Sequence, residues 1–132
     1  MLLGSIFVHG GAFVLLRPDV PARRLEVALS RVGVSSPGIS AGLVRGNAAA
    51  MVLGGLTLSA GLAPRLSALA LAALLQPTNV VGHAFWNESD PAQRFAHRTG
   101  FVSNLAITGG LLLVGRRYRP DPSPTTSRRT PR

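Results

Sequence analysis

Four apolar runs, separated by polar segments that carry arginine, dominate the pattern of this chain. They cover residues 1–16, 43–62, 65–83 and 101–115. The run after Arg65 is apolar on every face over its first two thirds, without the polar stripe of a helix that lies on a soluble core. At about 1.5 Å per residue it covers most of a hydrocarbon core of roughly 30 Å. The pattern therefore predicts four membrane-spanning helices, with Trp86 at the membrane interface.

The polar segment after the first run contains one amphipathic stretch, from about Pro21 to Gly33. Its apolar positions recur at i, i+3, i+4 and i+7, and they are Leu25, Ala28, Leu29 and Val32. This spacing predicts a short helix in the membrane interface, with a solvated loop helix as the alternative. Residues 87–100 are polar and are predicted to be a loop between the third and fourth spans.

Small residues recur every four positions in the second run, on two adjacent faces. One face has Gly46, Ala50 and Gly54, and the other has Met51, Gly55 and Ser59. This spacing allows close approach of helix backbones in lipid. A short turn at Ala63 and Pro64 predicts an antiparallel hairpin of the second and third spans. The predicted fold class is all-α: a multi-pass membrane four-helix bundle with a short interfacial amphipathic helix between helices 1 and 2.

Charge and composition agree with a location in the cell membrane. All 14 basic residues are arginine, the net charge is +9, and most arginines flank apolar runs. Nucleic-acid binding is disfavoured because no basic patch alternates with stacking aromatics. With no cysteine, the chain has neither disulfides nor thiolate metal sites. Residues 1–115 are predicted to be the transmembrane domain and 116–132 a basic, disordered tail.

Polar side chains within the predicted spans fall at one depth. In the antiparallel topology, Asn47, Gln76, Asn79 and Asn104 lie about one turn below the same membrane face, with His83 and Trp86 just above them. These six residues are the predicted ligand-binding residues of a shallow polar pocket. The alternative is interhelical hydrogen bonding that fixes the packing, worth about 1 kcal/mol per contact.

Catalytic signals are weak in this sequence. It has no Ser-His-acid arrangement at recognisable spacing, no Gly-rich phosphate loop and no haem or iron–sulfur ligand set. His83 and His97 lack the i, i+3 or i+4 spacing of helical metal ligands, so no metal is predicted. A self-contained enzyme is the least favoured class.

Residues 43–115 resemble the DoxX family of small four-helix bacterial membrane proteins. The resemblance rests on the Pro64–Arg65 turn, Pro77–Thr78, Gly82–His83 with Phe85–Trp86, Asp90–Pro91, and Asn104 leading to Gly109–Gly110. The chain departs from the family pattern at Ser103, where relatives have lysine, and at Asn47, where many have an acid. Both departures remove an intramembrane charge, so the resemblance does not imply proton or ion coupling that depends on those charges.

The resemblance implies an accessory or anchoring subunit of a membrane redox system linked to quinone or sulfur compounds. A quinone is then the candidate cofactor, and a membrane or cytoplasmic oxidoreductase is the candidate partner besides the lipid bilayer. In this interpretation His83 donates to a quinone oxygen, Trp86 stacks on the ring, and Asn79 and Asn104 complete the hydrogen bonds. The alternative is a non-catalytic membrane scaffold or a bundle that permeates a small solute.

Overall fold

The computed structural model describes residues 2–31, 33–34 and 37–117, and within these residues the chain is helical with no β-strand. The helices are α1 (Leu2–Leu16), α2 (Asp19–Ser30), α3 (Pro37–Ser59), α4 (Pro64–Gly82) and α5 (Pro91–Arg117), with a 3-10 turn at Phe85–Asn87. The predicted all-α class is confirmed. Helix α5 continues through Arg116 and Arg117, and the rest of the predicted tail lies outside the described residues.

The long helices pack in the order α1–α3–α4–α5, and α2 lies across α3 and α4. Small and aliphatic side chains of α4 occupy the centre, because α4 contacts both α3 and α5. The buried core consists of Phe7, Met51, Ala68, Leu71, Ala72, Leu75 and Leu111. This core is narrow, so most large apolar side chains remain on the outer surface.

Helices α1 and α3 touch backbone to backbone through small residues. A Cβ on Gly55 would lie 2.7 Å from the carbonyl oxygen of Gly4, and a Cβ on Gly11 would lie 2.8 Å from that of Ala48. Such separations exclude any side chain at either glycine. Of the two predicted small-residue faces of α3, the one with Gly55 therefore packs on α1, whereas Gly46 has no neighbour within 4 Å of a Cβ.

A four-residue turn reverses the chain between α3 and α4, as predicted. Gly61 and Ala63 both have left-handed backbone, with φ of 71° and 44°. Across the turn, the hydroxyls of Thr57 and Ser67 lie 2.9 Å apart, which joins the end of α3 to the start of α4. The antiparallel hairpin is therefore confirmed in the geometry of the backbone.

The predicted loop at residues 87–100 is wrong over residues 91–100, because α5 begins at Pro91. The side chain of Asp90 accepts a hydrogen bond from the backbone N–H of Gln93 at 3.2 Å, as an N-cap residue does. Pro91 follows at the first helical position, where its missing N–H costs nothing. Arg94 then donates to the carbonyl of Glu88 at 2.8 and 3.0 Å and holds the turn against the helix.

Two other predicted boundaries move by a few residues. Helix α3 begins at Pro37 rather than at residue 43 and ends at Ser59 rather than at 62, because the reversing turn takes residues 60–63. The predicted amphipathic helix is present as α2, and Gly33 follows it with φ of 81°. Its interfacial location stays a prediction.

Two helical stretches, Gly38–Ser59 and Pro64–Asn87, are long and apolar enough to cross a membrane. Only 22% and 28% of their apolar windows are buried, whereas the core helix of a soluble protein is mostly buried. Helix α1 is apolar but shorter. Large apolar side chains therefore cover much of the outer surface, which is typical of a surface that meets lipid or a partner.

Candidate functional site: a cavity between the helices

A cavity of about 600 Å³ lies between the helices at the end of the molecule that α2 covers. All five helices contribute to its walls. Helices α1 and α5 both line it, and they pack on each other much less than α1 packs on α3 or α4 on α5. Its volume is within the range of about 300 to 1,000 Å³ that small-molecule sites occupy.

The walls of this cavity are mostly apolar, and its polar side chains are few. Aliphatic and aromatic groups of α1, α3 and α4 form most of the lining, with Met51, Leu75 and Ile107 from the middle of the helices. The polar residues of the lining are Arg24, Asn47, Thr78, His83 and Asn104. The lining therefore combines an apolar chamber with a small number of directional polar groups, as sites for amphipathic small molecules do.

Helix α2 covers one end of the cavity because its two faces differ. Val20, Pro21 and Leu25 from its apolar face contribute to the lining. Arg24, on the adjacent face, donates from Nη1 to the carbonyl oxygen of Gly82 at 2.6 Å. That carbonyl lies at the end of α4, where helix carbonyls lack internal partners, so Arg24 both satisfies it and ties α2 to α4.

Asparagine side chains contribute amide groups to the lining and are positioned by neighbouring polar groups. Asn47 donates from Nδ2 to the Thr78 hydroxyl at 3.0 Å, joining α3 to α4. Asn104 donates from Nδ2 to Oδ1 of Asn79 at 3.2 Å, joining α5 to α4. In each case the amide nitrogen is held by a protein partner, and within the described residues the Oδ1 atoms of Asn47 and Asn104 have no donor.

His83 is the only described residue with a buried side-chain nitrogen or oxygen that lacks a hydrogen-bond partner, and that atom is Nδ1. Its ring lies directly against the backbone of α5 at Gly100, where a Cβ would overlap the ring. The ring centroid of His97 is 5.8 Å away. Leaving such a nitrogen unpaired costs roughly 1 to 3 kcal/mol. Because Nδ1 is closed off against α5, His83 lines the cavity through its other atoms.

Three of the six predicted ligand-binding residues line the cavity, and three do not. Asn47, His83 and Asn104 are in the lining. Asn79 is 2% exposed and lies behind Asn104, which it positions. The proximity predicted for Asn79 and Asn104 is thus found, whereas ligand binding by these residues stays a prediction.

Gln76 and Trp86 lie away from the cavity. Gln76 donates to the Thr108 hydroxyl at 3.1 Å and to the carbonyl of Ala72 at 2.7 Å, so it links α4 to α5. Trp86 is 52% exposed and packs edge-on against Phe85 and Phe101 at ring-centroid distances of 5.1 and 6.0 Å. The predicted stacking of Trp86 on a ligand in this cavity is therefore not supported by its position.

Sequence reasoning missed Arg24, Thr78 and Gly100 as parts of the site. Arg24 lies outside the predicted spans, and only the docking of α2 brings it to the end of α4. Thr78 follows Pro77, and its distance from Asn47 carried no sequence signal. Gly100 fell in the predicted loop, so its contact with His83 became visible only once α5 was seen to begin at Pro91.

His83, His97 and Glu88 lie near one another, but not in an arrangement that could hold a metal ion. Nε2 of His97 lies 3.6 Å from a carboxylate oxygen of Glu88, and no arginine of the described region comes within 4 Å of a carboxylate. Within residues 2–31, 33–34 and 37–117, no three histidine or acidic side chains group closely enough to hold a metal ion. The polar chemistry of the site therefore consists of hydrogen bonding by amide, imidazole, hydroxyl and guanidinium groups.

In comparisons with known proteins, no family model, no curated protein and no solved structure matches this chain.

Proposed function

We propose that this chain is a DoxX-like integral membrane protein in which α1, α3, α4 and the apolar half of α5 cross the bilayer. Helices α3 and α4, of 23 and 19 residues, have lengths of about 34 and 28 Å, near the thickness of the hydrocarbon core. The large exposed apolar surface supports the proposal, because in water it would favour aggregation. In a bilayer the same surface contacts lipid tails at no cost.

Within this bundle, the cavity binds an amphipathic ligand with a compact polar head, and a quinone fits best. The observation that carries this proposal is an apolar chamber of about 600 Å³ whose lining includes the imidazole of His83 and the amides of Asn47 and Asn104. An apolar tail would occupy the chamber, and a polar ring would meet His83 and the two asparagines. The protein then acts as an accessory or anchoring subunit of a membrane redox system, as the DoxX resemblance implies.

The polar groups of the lining match both redox forms of such a ring. Quinone oxygens accept hydrogen bonds, and His83 and Arg24 carry N–H donors. Quinol hydroxyls donate, and Oδ1 of Asn47 and Oδ1 of Asn104 are acceptors. Because Asn104 and Asn47 are held by Asn79 and Thr78, these acceptors are oriented before a ligand arrives.

A non-catalytic scaffold or permeation bundle is the second candidate, and the interhelical amide contacts favour it. Gln76, Asn79 and the nitrogens of Asn47 and Asn104 find partners within the protein, as residues that fix helix packing do. A scaffold needs no ligand in the cavity. The two functions therefore predict different effects of filling the cavity. In the first, ligand binding is lost; in the second, only stability can change.

The decisive variant is Gly10→Leu. Gly10 lines the cavity, and a Cβ there would meet no atom within 4 Å, so a leucine side chain has room at the cavity wall and should narrow the chamber. Gly109→Leu is the matched control, because Gly109 on α5 is also open but is not in the lining. Both variants gain helix propensity of up to about 1 kcal/mol, so neither should unfold the protein.

Binding of a short-chain ubiquinone analogue to the detergent-purified protein is measured by thermal stabilisation and by quenching of Trp86, the single tryptophan. We expect saturable binding by the native protein and native affinity in Gly109→Leu. Gly10→Leu should bind at least about tenfold more weakly, which corresponds to about 1.4 kcal/mol. Absence of saturable binding, or equal affinity in the three proteins, would favour the scaffold. Co-purification of an oxidoreductase in mild detergent tests the accessory role separately.

A further inference from the structure

A second groove, of about 380 Å³, lies between α2 and the end of α4 and carries a concentration of positive charge. We call it the arginine groove. Arg23, Arg24 and Arg31 of α2 form one side, and His97 of α5 with Glu88 forms the other. Arg23, Val27 and Arg31 are spaced i, i+4 and i+8, so they share one face of α2.

The positive charge of the arginine groove is not neutralised by the described residues. Three arginines line the groove against a single carboxylate, Glu88, which lies 3.6 Å from His97 and makes no salt bridge to an arginine in the described region. Arg24 is engaged by the carbonyl of Gly82. Arg23 and Arg31 remain without a carboxylate partner in the described part of the chain, and both are exposed. Two guanidinium groups one turn on either side of Val27 suit an anion with several oxygens, and phosphate is the usual one.

Apolar surface borders these charges, and it favours a phospholipid over a free phosphate ion as the ligand. Val27 is 55% exposed and Val80 is 51% exposed, and both line the arginine groove. Arg24, Val81 and Gly82 line both the groove and the large apolar cavity, so the two spaces adjoin. A free phosphate ion gains nothing from apolar walls, whereas a phospholipid places its phosphate directly above acyl chains.

We propose that the arginine groove binds the phosphate headgroup of an anionic phospholipid, such as phosphatidylglycerol, and so holds α2 on the bilayer surface. The phosphodiester accepts hydrogen bonds from Arg23 and Arg31, and its acyl chains run past Val27 and Val80. This inference rests on the proposed membrane location but not on quinone binding. A protein with an empty cavity would still bind the lipid through α2.

The test compares lipids and paired variants in detergent-purified full-length protein. Phosphatidylglycerol, phosphatidylcholine and inorganic phosphate are titrated separately, and apparent affinity is read from thermal stabilisation and from lipid adducts in native mass spectrometry. The groove variant is Arg23→Gln with Arg31→Gln. Its control is Arg65→Gln with Arg116→Gln, which removes the same charge from exposed positions at the opposite end, where the backbone of Gly115 lies near the Arg65 carbonyl.

The proposal expects phosphatidylglycerol to bind at least tenfold more tightly than phosphatidylcholine, with a clear loss of affinity as salt rises. The affinity of the groove variant for phosphatidylglycerol should fall at least tenfold, and that of the control should stay within twofold of the native protein. Equal affinity for the two lipids, or equal loss in both variants, would overturn it. Inorganic phosphate binding as tightly as the lipid would show a free-anion site instead. Recovery of folded protein without detergent would refute the membrane location itself, which separates that failure from loss of lipid selectivity.

Discussion

The Asn79–Asn104 pair joins α4 to α5 beside the cavity, and Asn104→Ala tests what it contributes. Asn79 is 2% exposed, and its Oδ1 accepts from Asn104 at 3.2 Å. Its own Nδ2 reaches the carbonyl of Phe101 only at 3.5 Å, so Asn104 is its better partner. Removing Asn104 leaves a buried carbonyl without a donor, which costs roughly 1 to 3 kcal/mol.

Membrane hydrogen bonds average about 0.6 kcal/mol, so we expect the lower part of that range, about 1 to 2 kcal/mol. For a domain of this size, each kcal/mol lowers the melting temperature by about 3 to 6 °C. Thermal unfolding in detergent measures the change, with Asn87→Ala as the control, because Asn87 is exposed and its side chain has no hydrogen bond within the described residues.

The double variant Asn79→Leu with Asn104→Leu makes the argument sharper. Replacing both partners by apolar groups of similar size removes the unpaired atom, so the double variant should be more stable than Asn104→Ala. A melting temperature of Asn104→Ala within about 1 °C of the native protein would refute the reasoning. So would a double variant less stable than the single one, since the cost would then come from packing rather than from an unpaired amide.

Two further variants test the turn between α3 and α4 and the contact between α1 and α3. Ala63→Gly should stabilise the protein by up to about 1 kcal/mol, because Ala63 has φ of 44° and glycine adopts this left-handed backbone without steric cost; an unchanged or lower melting temperature would contradict this. Gly55→Ala should destabilise by about 2 kcal/mol or more, because its Cβ would lie 2.7 Å from the Gly4 carbonyl oxygen. Gly46→Ala is the control, because a Cβ at Gly46 has no neighbour within 4 Å, and it should be neutral or stabilising. Equal effects of Gly55→Ala and Gly46→Ala would contradict the close contact of α1 and α3.

The hydrophobic pattern predicted helix ends correctly where proline or arginine borders an apolar run. Helix α1 ends where Arg17 and Pro18 follow the apolar run, and α4 begins at Pro64, so both agree with prediction to within a residue. The first ten residues of α5 have no apolar periodicity to detect, and Phe95 there is 73% exposed. They are helical because Asp90 and Pro91 start a helix that the apolar half then continues.

Depth in the bundle was predictable, but rotation about each helix axis was not. An antiparallel arrangement brings Asn79 and Asn104 to one level, and their hydrogen bond follows from that. Gln76 and Asn79, three residues apart on α4, both face α5 through Thr108 and Asn104, and neither lines the cavity. Trp86 follows the end of α4, where the 3-10 turn rotates it outward to Phe101. Packing between helices decides in which direction these side chains point, and no pattern in a single sequence predicts that packing.

The central claim, that the exposed apolar faces of this bundle meet lipid, is tested most directly by cysteine accessibility. The chain has no cysteine, so single-cysteine variants have no background. Leu69 and Val80 on α4 and Leu105 and Leu112 on α5 are all exposed in the structure, and Ser89 in the turn is an exposed polar control.

A water-soluble maleimide is applied to intact membranes from cells that make each variant, and labelling is scored after denaturing electrophoresis. Membranes opened by freeze–thaw give the reagent access to both faces. Cysteine at Ser89 should label, whereas cysteines at the four leucine and valine positions should stay unlabelled until detergent denatures the protein. Rapid labelling of those four positions in intact membranes would mean that their faces meet water, and the four-span arrangement would be wrong.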